Sequence, residues 1–215
     1  VYGDQATPTP ASIAIDADDI LVGDNGELDF TYLADSDRNT LDLIRSHEDG
    51  LGASDTISGG AGQDVGIGGT AGDVIDGDDA QANAAASDLG DLLLGDNADI
   101  FLVDAMGATG GDAKLVLGAA VMTIRTTDEE MPQFGGVDTI SGNAGGDIVA
   151  GGVFGDTLYG DREFENATAS DDGDDLILGD NGAFEWRSTG RLNEISGIDI
   201  ASENPLLWAK YGMGV

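Results

Sequence analysis

Short apolar stretches bounded by aspartate and glycine recur along this chain at a spacing of about nine residues. Asp55-Thr56-Ile57-Ser58 and Asp156-Thr157-Leu158-Tyr159 each set one large apolar residue between polar neighbours. That alternation predicts half-buried β-strands. The apolar residues in phase are Ile57, Ile75, Leu93, Ile140, Val149, Leu158 and Ile177. They are expected to line a thin core between two sheets. Gly66 falls in an apolar position, so its strand is expected to pack poorly or shift register. Segments 28–33, 100–104, 114–125 and 195–200 read as further, partly alternating strands. Asn204-Pro205, a short apolar run and then Gly212 predict a capped helix near 205–211.

Repeats organise these elements at two scales. Asp55, Asp64 and Asp73 are nine apart, Asp91 lies two periods further on, and Asp138, Asp147 and Asp156 repeat the spacing. Glycine pairs keep phase at Gly59-Gly60, Gly68-Gly69 and Gly151-Gly152, with Gly142-Asn143 as a variant. On the longer scale, DDILVGDNG at 18–26 returns as GDLLLGDNA at 90–98 and DDLILGDNG at 174–182. Two matching cassettes lie between these boxes, preceded by Ile44-Arg45-Ser46 and Ile124-Arg125-Thr126. The chain divides into a partial first unit with its box (1–53), a first cassette and box (54–99), an inter-cassette strand segment (100–136), a second cassette and box (137–182) and the start of a third unit (183–215). Val1-Tyr2-Gly3-Asp4 aligns with Leu158-Tyr159-Gly160-Asp161, so the sequence is expected to be a window on a longer tandem array.

Composition narrows the chemistry. The 215 residues carry 42 acidic and 8 basic side chains, a net charge of −34. A compact body of that charge needs disorder, high salt or bound cations to relieve its self-repulsion. Nucleic acid and anionic membranes are poor partners for it, and the most apolar stretch, 115–124, is about half of a membrane span. No cysteine is present, which excludes a disulfide framework and thiolate metal sites. His47, the single histidine, sits beside Glu48 and Asp49 and reads as a solvated loop residue. The sequence has no GxSxG elbow, Walker loop, HExxH or EF-hand spacing. Trp186 and Trp208 are expected in packing rather than sugar stacking. An enzyme is not expected in this segment.

The run Gly59-Gly60-Ala61-Gly62-Gln63-Asp64 and its phased copies resemble the hemolysin-type calcium-binding repeats, the RTX family, whose pattern is GGxGxDxUx. The resemblance covers two cassettes and the GDN boxes, about half of the residues. It implies an all-β fold: calcium-bound parallel β-roll or β-solenoid cassettes, joined here by the additional strand segments. Glycine permits the positive-φ turns, and aspartate offers a hard oxygen to an ion that takes six to eight of them. Stacked loops would set Asp55 beside Asp73, with Asp64, Asp91 and Asp147 on the opposite side. The metal residues implied are Asp55, Gly59, Gly60, Gly62, Asp64, Gly68, Gly69, Asp73, Asp91, Asp138, Gly142, Gly145, Asp147, Gly151, Asp156, Asp175 and Asp19. Asp24, Asp96 and Asp180 of the GDN boxes are either ligands at coil edges or turn formers. Departures fall at Ala71, in place of the fourth glycine, and at the inserts 80–87 and 162–170, where Ala82 and Glu165 replace phased aspartates.

The resemblance implies secretion, folding on calcium outside the cell, and a structural or adhesive role in a large surface or matrix protein. Exposed sheet edges would favour self-association end to end into fibres. The alternative is the calcium-binding tail of a secreted enzyme or toxin. A halophilic acidic protein without specific ions is the third reading.

Overall fold

The computed structural model describes residues 1, 18–31, 41–47, 50–60, 62–78, 90–102, 121–127, 132–161, 173–186 and 192–197. The fold is all-β, with one short 3₁₀ turn at Pro132–Phe134 among the described residues. The strands are β1 (Ile20–Val22), β2 (Gly26–Asp29), β3 (Leu43–Ser46), β4 (Thr56–Gly60), β5 (Val65–Ile67), β6 (Val74–Asp78), β7 (Leu92–Leu94), β8 (Ala98–Leu102), β9 (Val121–Thr126), β10 (Thr139–Ser141), β11 (Ile148–Ala150), β12 (Thr157–Tyr159), β13 (Leu176–Leu178), β14 (Gly182–Trp186) and β15 (Leu192–Gly197). The predicted helix near 205–211, the inserts 80–87 and 162–170, and Trp208 lie outside the described residues.

Three sheets form. A central sheet has the order β1-β5-β7-β11-β13, an outer sheet the order β12-β10-β6-β4, and all neighbours in both are parallel. The third, β15-β14-β9-β8-β3-β2, is antiparallel. The chain's path repeats. From β1 in the central sheet it makes the hairpin β2–β3, then visits outer β4, central β5 and outer β6. The six elements β7 to β12 retrace that path, and β13 to β15 begin it again. Each GDN box is therefore a corner, at which the chain leaves the central sheet for the antiparallel one.

The central sheet is buried on both faces. Leu21, Leu93 and Val149 pack with Ile57, Ile75 and Ile140 toward the outer sheet, with Leu158 against them. Val65, Ile67, Leu92, Leu94, Ile148 and Ala150 turn the other way, onto Ile44, Ile100, Ile124 and Phe184. In the antiparallel sheet, register sets Leu28, Ile44, Ile100, Ile124, Phe184 and Ile195 in one row. Its interior members are buried, while Leu28 and Ile195 at its ends are exposed. This explains the two kinds of strand. Those in the middle layer are apolar at consecutive positions (ILV, LLL, IVA), and those in the outer sheet set a buried isoleucine after an exposed Thr or Val (TIS, VID, TIS).

The thin core foreseen between two sheets is thus one of two. The inter-cassette segments build a separate antiparallel sheet with a larger apolar layer beneath it. Register does not slip at Gly66, which pairs with Leu21 and Leu93. Ile75 and Leu93 close over it, so that a β-carbon there would meet their methyl carbons at 3.2 and 3.3 Å. Ile177, expected in the core, is 45% exposed on β13, which lies at the edge of its sheet. Val1 behaves as its alignment with Leu158 requires. Its ammonium donates to the Thr56 carbonyl, and its carbonyl accepts the Ser58 amide at 3.0 Å, bracketing Ile57 as a parallel neighbour does.

Replacement of Ile100 by alanine tests the second core. Ile100→Ala should cost about 2–5 kcal/mol in denaturant unfolding, as much as Ile75→Ala in the other layer. Near-neutral behaviour of Ile100→Ala would leave only the thin core standing.

Candidate functional site

Turns between the parallel sheets stack in register and bring the phased aspartates into two ladders. In the first, the Asp55 amide donates to Asp73 Oδ1 at 2.7 Å, the Asp73 amide to Asp138 Oδ1 at 2.7 Å, and the Asp138 amide to Asp156 Oδ1 at 3.0 Å. In the second, the amides of Asp19, Asp64, Asp91 and Asp147 donate in turn to Oδ1 of Asp64, Asp91, Asp147 and Asp175, at 2.7, 2.8, 2.7 and 3.0 Å. Each carboxylate thereby fixes the main chain of the rung before it. Asp55 does stand beside Asp73, and Asp64, Asp91 and Asp147 occupy the other side.

The second oxygen of each ladder carboxylate lies against the first glycine of a turn. A β-carbon at Gly68 would collide with Asp73 Oδ2 and the Gly95 carbonyl; at Gly95, with Asp138 Oδ2 and the Gly151 carbonyl; at Gly151, with Asp156 Oδ2 and the Gly179 carbonyl. Gly59 and Gly142 back onto Asp64 and Asp147 in the same way. These positions must be glycine because two oxygens occupy the space of a side chain. The second and fourth turn positions take positive φ: Gly60 and Gly62, Gly69 and Ala71, Asn143 and Gly145, Gly152 and Phe154. Ala71, at φ 75°, thus holds the backbone form of the glycine it replaces.

Oδ2 of Asp73, Asp138 and Asp156 is buried and has no hydrogen-bond donor among the described residues. The carbonyl oxygens of Gly95, Gly151 and Gly179 share with these Oδ2 atoms the space beside the turn glycines, and none of them can donate. Burial raises the carboxyl of Asp73 to about 7 and that of Asp138 to about 7, each against the lowering effect of one main-chain amide. Neighbouring carboxylates add to both, Asp138, Asp55 and Asp24 at Asp73, and Asp156 at Asp138. Burial likewise raises Asp156, with Asp180 contributing. A hard cation suits such a place: it accepts carboxylate and carbonyl oxygens together and removes the charge. Among the described residues no three acidic or imidazole side chains converge on one point, so an ion here would draw on one or two carboxylates and the surrounding carbonyls.

The GDN aspartates sit differently. Asp24 accepts the Ala53 amide on Oδ1 at 3.2 Å and the Thr70 amide on Oδ2 at 2.7 Å. Asp96 accepts Gly136 on Oδ1 at 2.7 Å and Val153 on Oδ2 at 2.5 Å. Both oxygens of each are engaged by main chain, as in the turn-forming alternative. Asp180 is exposed. Sequence reasoning missed Asp78, buried at the end of β6, whose Oδ2 accepts the Ala144 amide at 3.0 Å. It also missed Asp99, buried beneath Arg45 and Arg125 at 2.5 and 3.1 Å. The Ile-Arg-Ser and Ile-Arg-Thr pieces carried that signal. Ser46 Oγ accepts the Ala98 amide and Thr126 Oγ1 the Gly182 amide, each joining one unit's hairpin to the next. His47 is exposed, 3.6 Å from Glu27.

Comparison with protein-family models, curated proteins and solved structures finds no match to this chain.

The titration of the ladder has a definite sign. Without a cation, folded Asp73 and Asp138 keep protons up to about pH 7, whereas the unfolded chain releases them near 3.8. The folded state binds more protons across that window, so stability falls as pH rises from about 4 to 7. Thermal unfolding in excess chelator should show Tm decreasing over this range; Tm increasing with pH would contradict the burial of these carboxyls.

Proposed function

We propose that this chain is a non-enzymatic, calcium-binding structural segment of a large secreted surface, adhesin or matrix protein, a parallel β-roll that folds on calcium. The observation that carries the reading is the Oδ2 file of Asp73, Asp138 and Asp156, buried without donors beside turn glycines that carbonyl oxygens also crowd. Supporting it are the net charge of −34, the in-register parallel sheets and the resemblance of the turns to hemolysin-type repeats. The residues that would hold ions are the ladder aspartates, Asp55, Asp73, Asp138 and Asp156 on one side and Asp19, Asp64, Asp91, Asp147 and Asp175 on the other, with carbonyls of the glycine turns. Bound calcium supplies positive charge and extra coordination between successive rungs. At Asp73, Asp138 and Asp156 the chain's own part is to hold the carboxylate by one amide and leave its other oxygen for the ion.

Calcium is scarce inside cells and roughly millimolar outside, so weak sites of extracellular type couple folding to export. Units joined through the antiparallel sheet would form a stiff rod, suited to spacing or adhesion, and edge-to-edge association of such rods would give fibres. A calcium-binding tail of a secreted enzyme would carry the same ladders. The repeated path of β1–β6 and β7–β12 favours the array.

Replacing Asp73 with asparagine separates a cation site from an ordinary hydrogen-bond site. The amide keeps an acceptor for Asp55 and turns a donor toward the Gly95 carbonyl. In chelator at pH 8, Asp73→Asn should be more stable than the parent chain, by roughly 1–3 kcal/mol. In millimolar calcium the order should reverse. Equal stability shifts in both conditions would defeat the cation reading. Circular dichroism gives the companion test: calcium addition should strengthen the strand signal and raise its melting temperature, and a signal and Tm identical in chelator and in calcium would reject coupling of folding to calcium.

A further inference from the structure

The turns of the parallel sheets are of two kinds, and the second residue of each turn tells them apart. Where the chain turns directly into the next strand, the opening pair is Gly59-Gly60, Gly68-Gly69, Gly142-Asn143 or Gly151-Gly152, with positive φ at the second position. Where the chain departs, the pair is Gly-Asp. Gly23-Asp24 and Gly95-Asp96 lead into β2 and β8 of the antiparallel sheet, and Gly77-Asp78 precedes the segment that returns at Gly90. Register equates the positions. Asp78 pairs with Gly60, and Asp24 and Asp96 follow strand ends that align with the end of β5 before Gly69.

Each of these three aspartates performs the same act. Its Oδ2 accepts the amide of the third residue in the next direct turn: Asp24 that of Thr70, Asp96 that of Val153, Asp78 that of Ala144. Asp24 and Asp96 use Oδ1 to take an amide of the chain returning toward β4 or β10, that of Ala53 or Gly136, so the departed turn closes through a side chain. The closeness is confirmed by Gly52 and Gly135, where a β-carbon would collide with Oδ2 of Asp24 and lie 2.5 Å from Oδ2 of Asp96. A trans peptide is planar, with N–H and C=O opposed. Fixing the Thr70, Val153 and Ala144 amides therefore aims the carbonyls of Gly69, Gly152 and Asn143 away from the departed turn.

We infer that Asp24, Asp78 and Asp96 are positioning residues for the cation slots rather than ligands. They orient the carbonyls of the direct turn above and rejoin a turn from which the chain has departed. This rests on the calcium reading given above and assigns it a cause for keeping coordination intact where the chain passes from the roll into the antiparallel sheet. It also couples the antiparallel sheet to the ions, because the residues that send the chain into β2 and β8 also shape the slots.

The test uses the full chain and calcium alone. Asp96→Asn keeps an acceptor for Gly136 but turns an amide donor against the Val153 N–H, and Asp78→Asn does the same at Ala144. Asp24→Asn, at a less buried site, is the milder variant should Asp96→Asn fail to fold. Calcium titration by calorimetry should show a subset of sites weakened about tenfold or more, the usual effect of losing an outer partner. The strand signal at saturating calcium should match the parent. Unchanged affinity would overturn the inference. So would an equal loss of Tm in chelator and in calcium with affinity preserved, which marks a merely structural clamp. A parent chain that binds no calcium would sink the calcium reading and this inference with it. Binding by the parent with indistinguishable variants would sink this inference alone.

Discussion

The structure depends on a carboxylate that binds, through one oxygen, the main chain of the rung before it. A main-chain amide from the preceding rung satisfies Oδ1, and that bond sets the spacing and register of every turn along both ladders. In the first ladder the other oxygen is buried without a donor, which destabilises the charged form. The same residue thus aligns the rungs and charges the space between them. A water-filled gap would relieve the charge at the cost of packing, and a proton would relieve it only below neutral pH. A divalent cation relieves it at physiological pH and adds attraction between rungs.

This interaction does not act alone. The central sheet is packed on two faces, so the turns are anchored by apolar layers that ions do not touch. The antiparallel sheet carries its own cross-unit links, with Asp99 bridging Arg45 and Arg125 and with the Ser46 and Thr126 hydroxyls receiving amides from the next unit. Two of the eight basic side chains are spent on Asp99. In a chain so acidic, that concentration of positive charge pins the register of three neighbouring strands.

Much of this was legible from residue order. The nine-residue phase located both ladders, and the alignment of Val1 with Leu158 gave the right neighbour for Ile57. The position of the hairpin segments was not foreseen, because a strand's pairing partner is a long-range fact. A local clue was nevertheless present: ILV and LLL are apolar on both faces, which a strand between one core and solvent does not need. Gly66 misled for a similar reason. A missing side chain looks like a defect until the neighbours that close over it are known. The role of the GDN aspartates stayed open because aspartate serves equally as turn former and ligand. Only their contacts with amides of other turns separate the two.

Anomalous scattering from crystals grown in calcium, with data collected to favour the calcium signal, tests the central claim most directly. The account predicts peaks between successive rungs beside Oδ2 of Asp73 and Asp138. Those oxygens bonded instead to water or to protein donors, with no peak along either ladder, would contradict it.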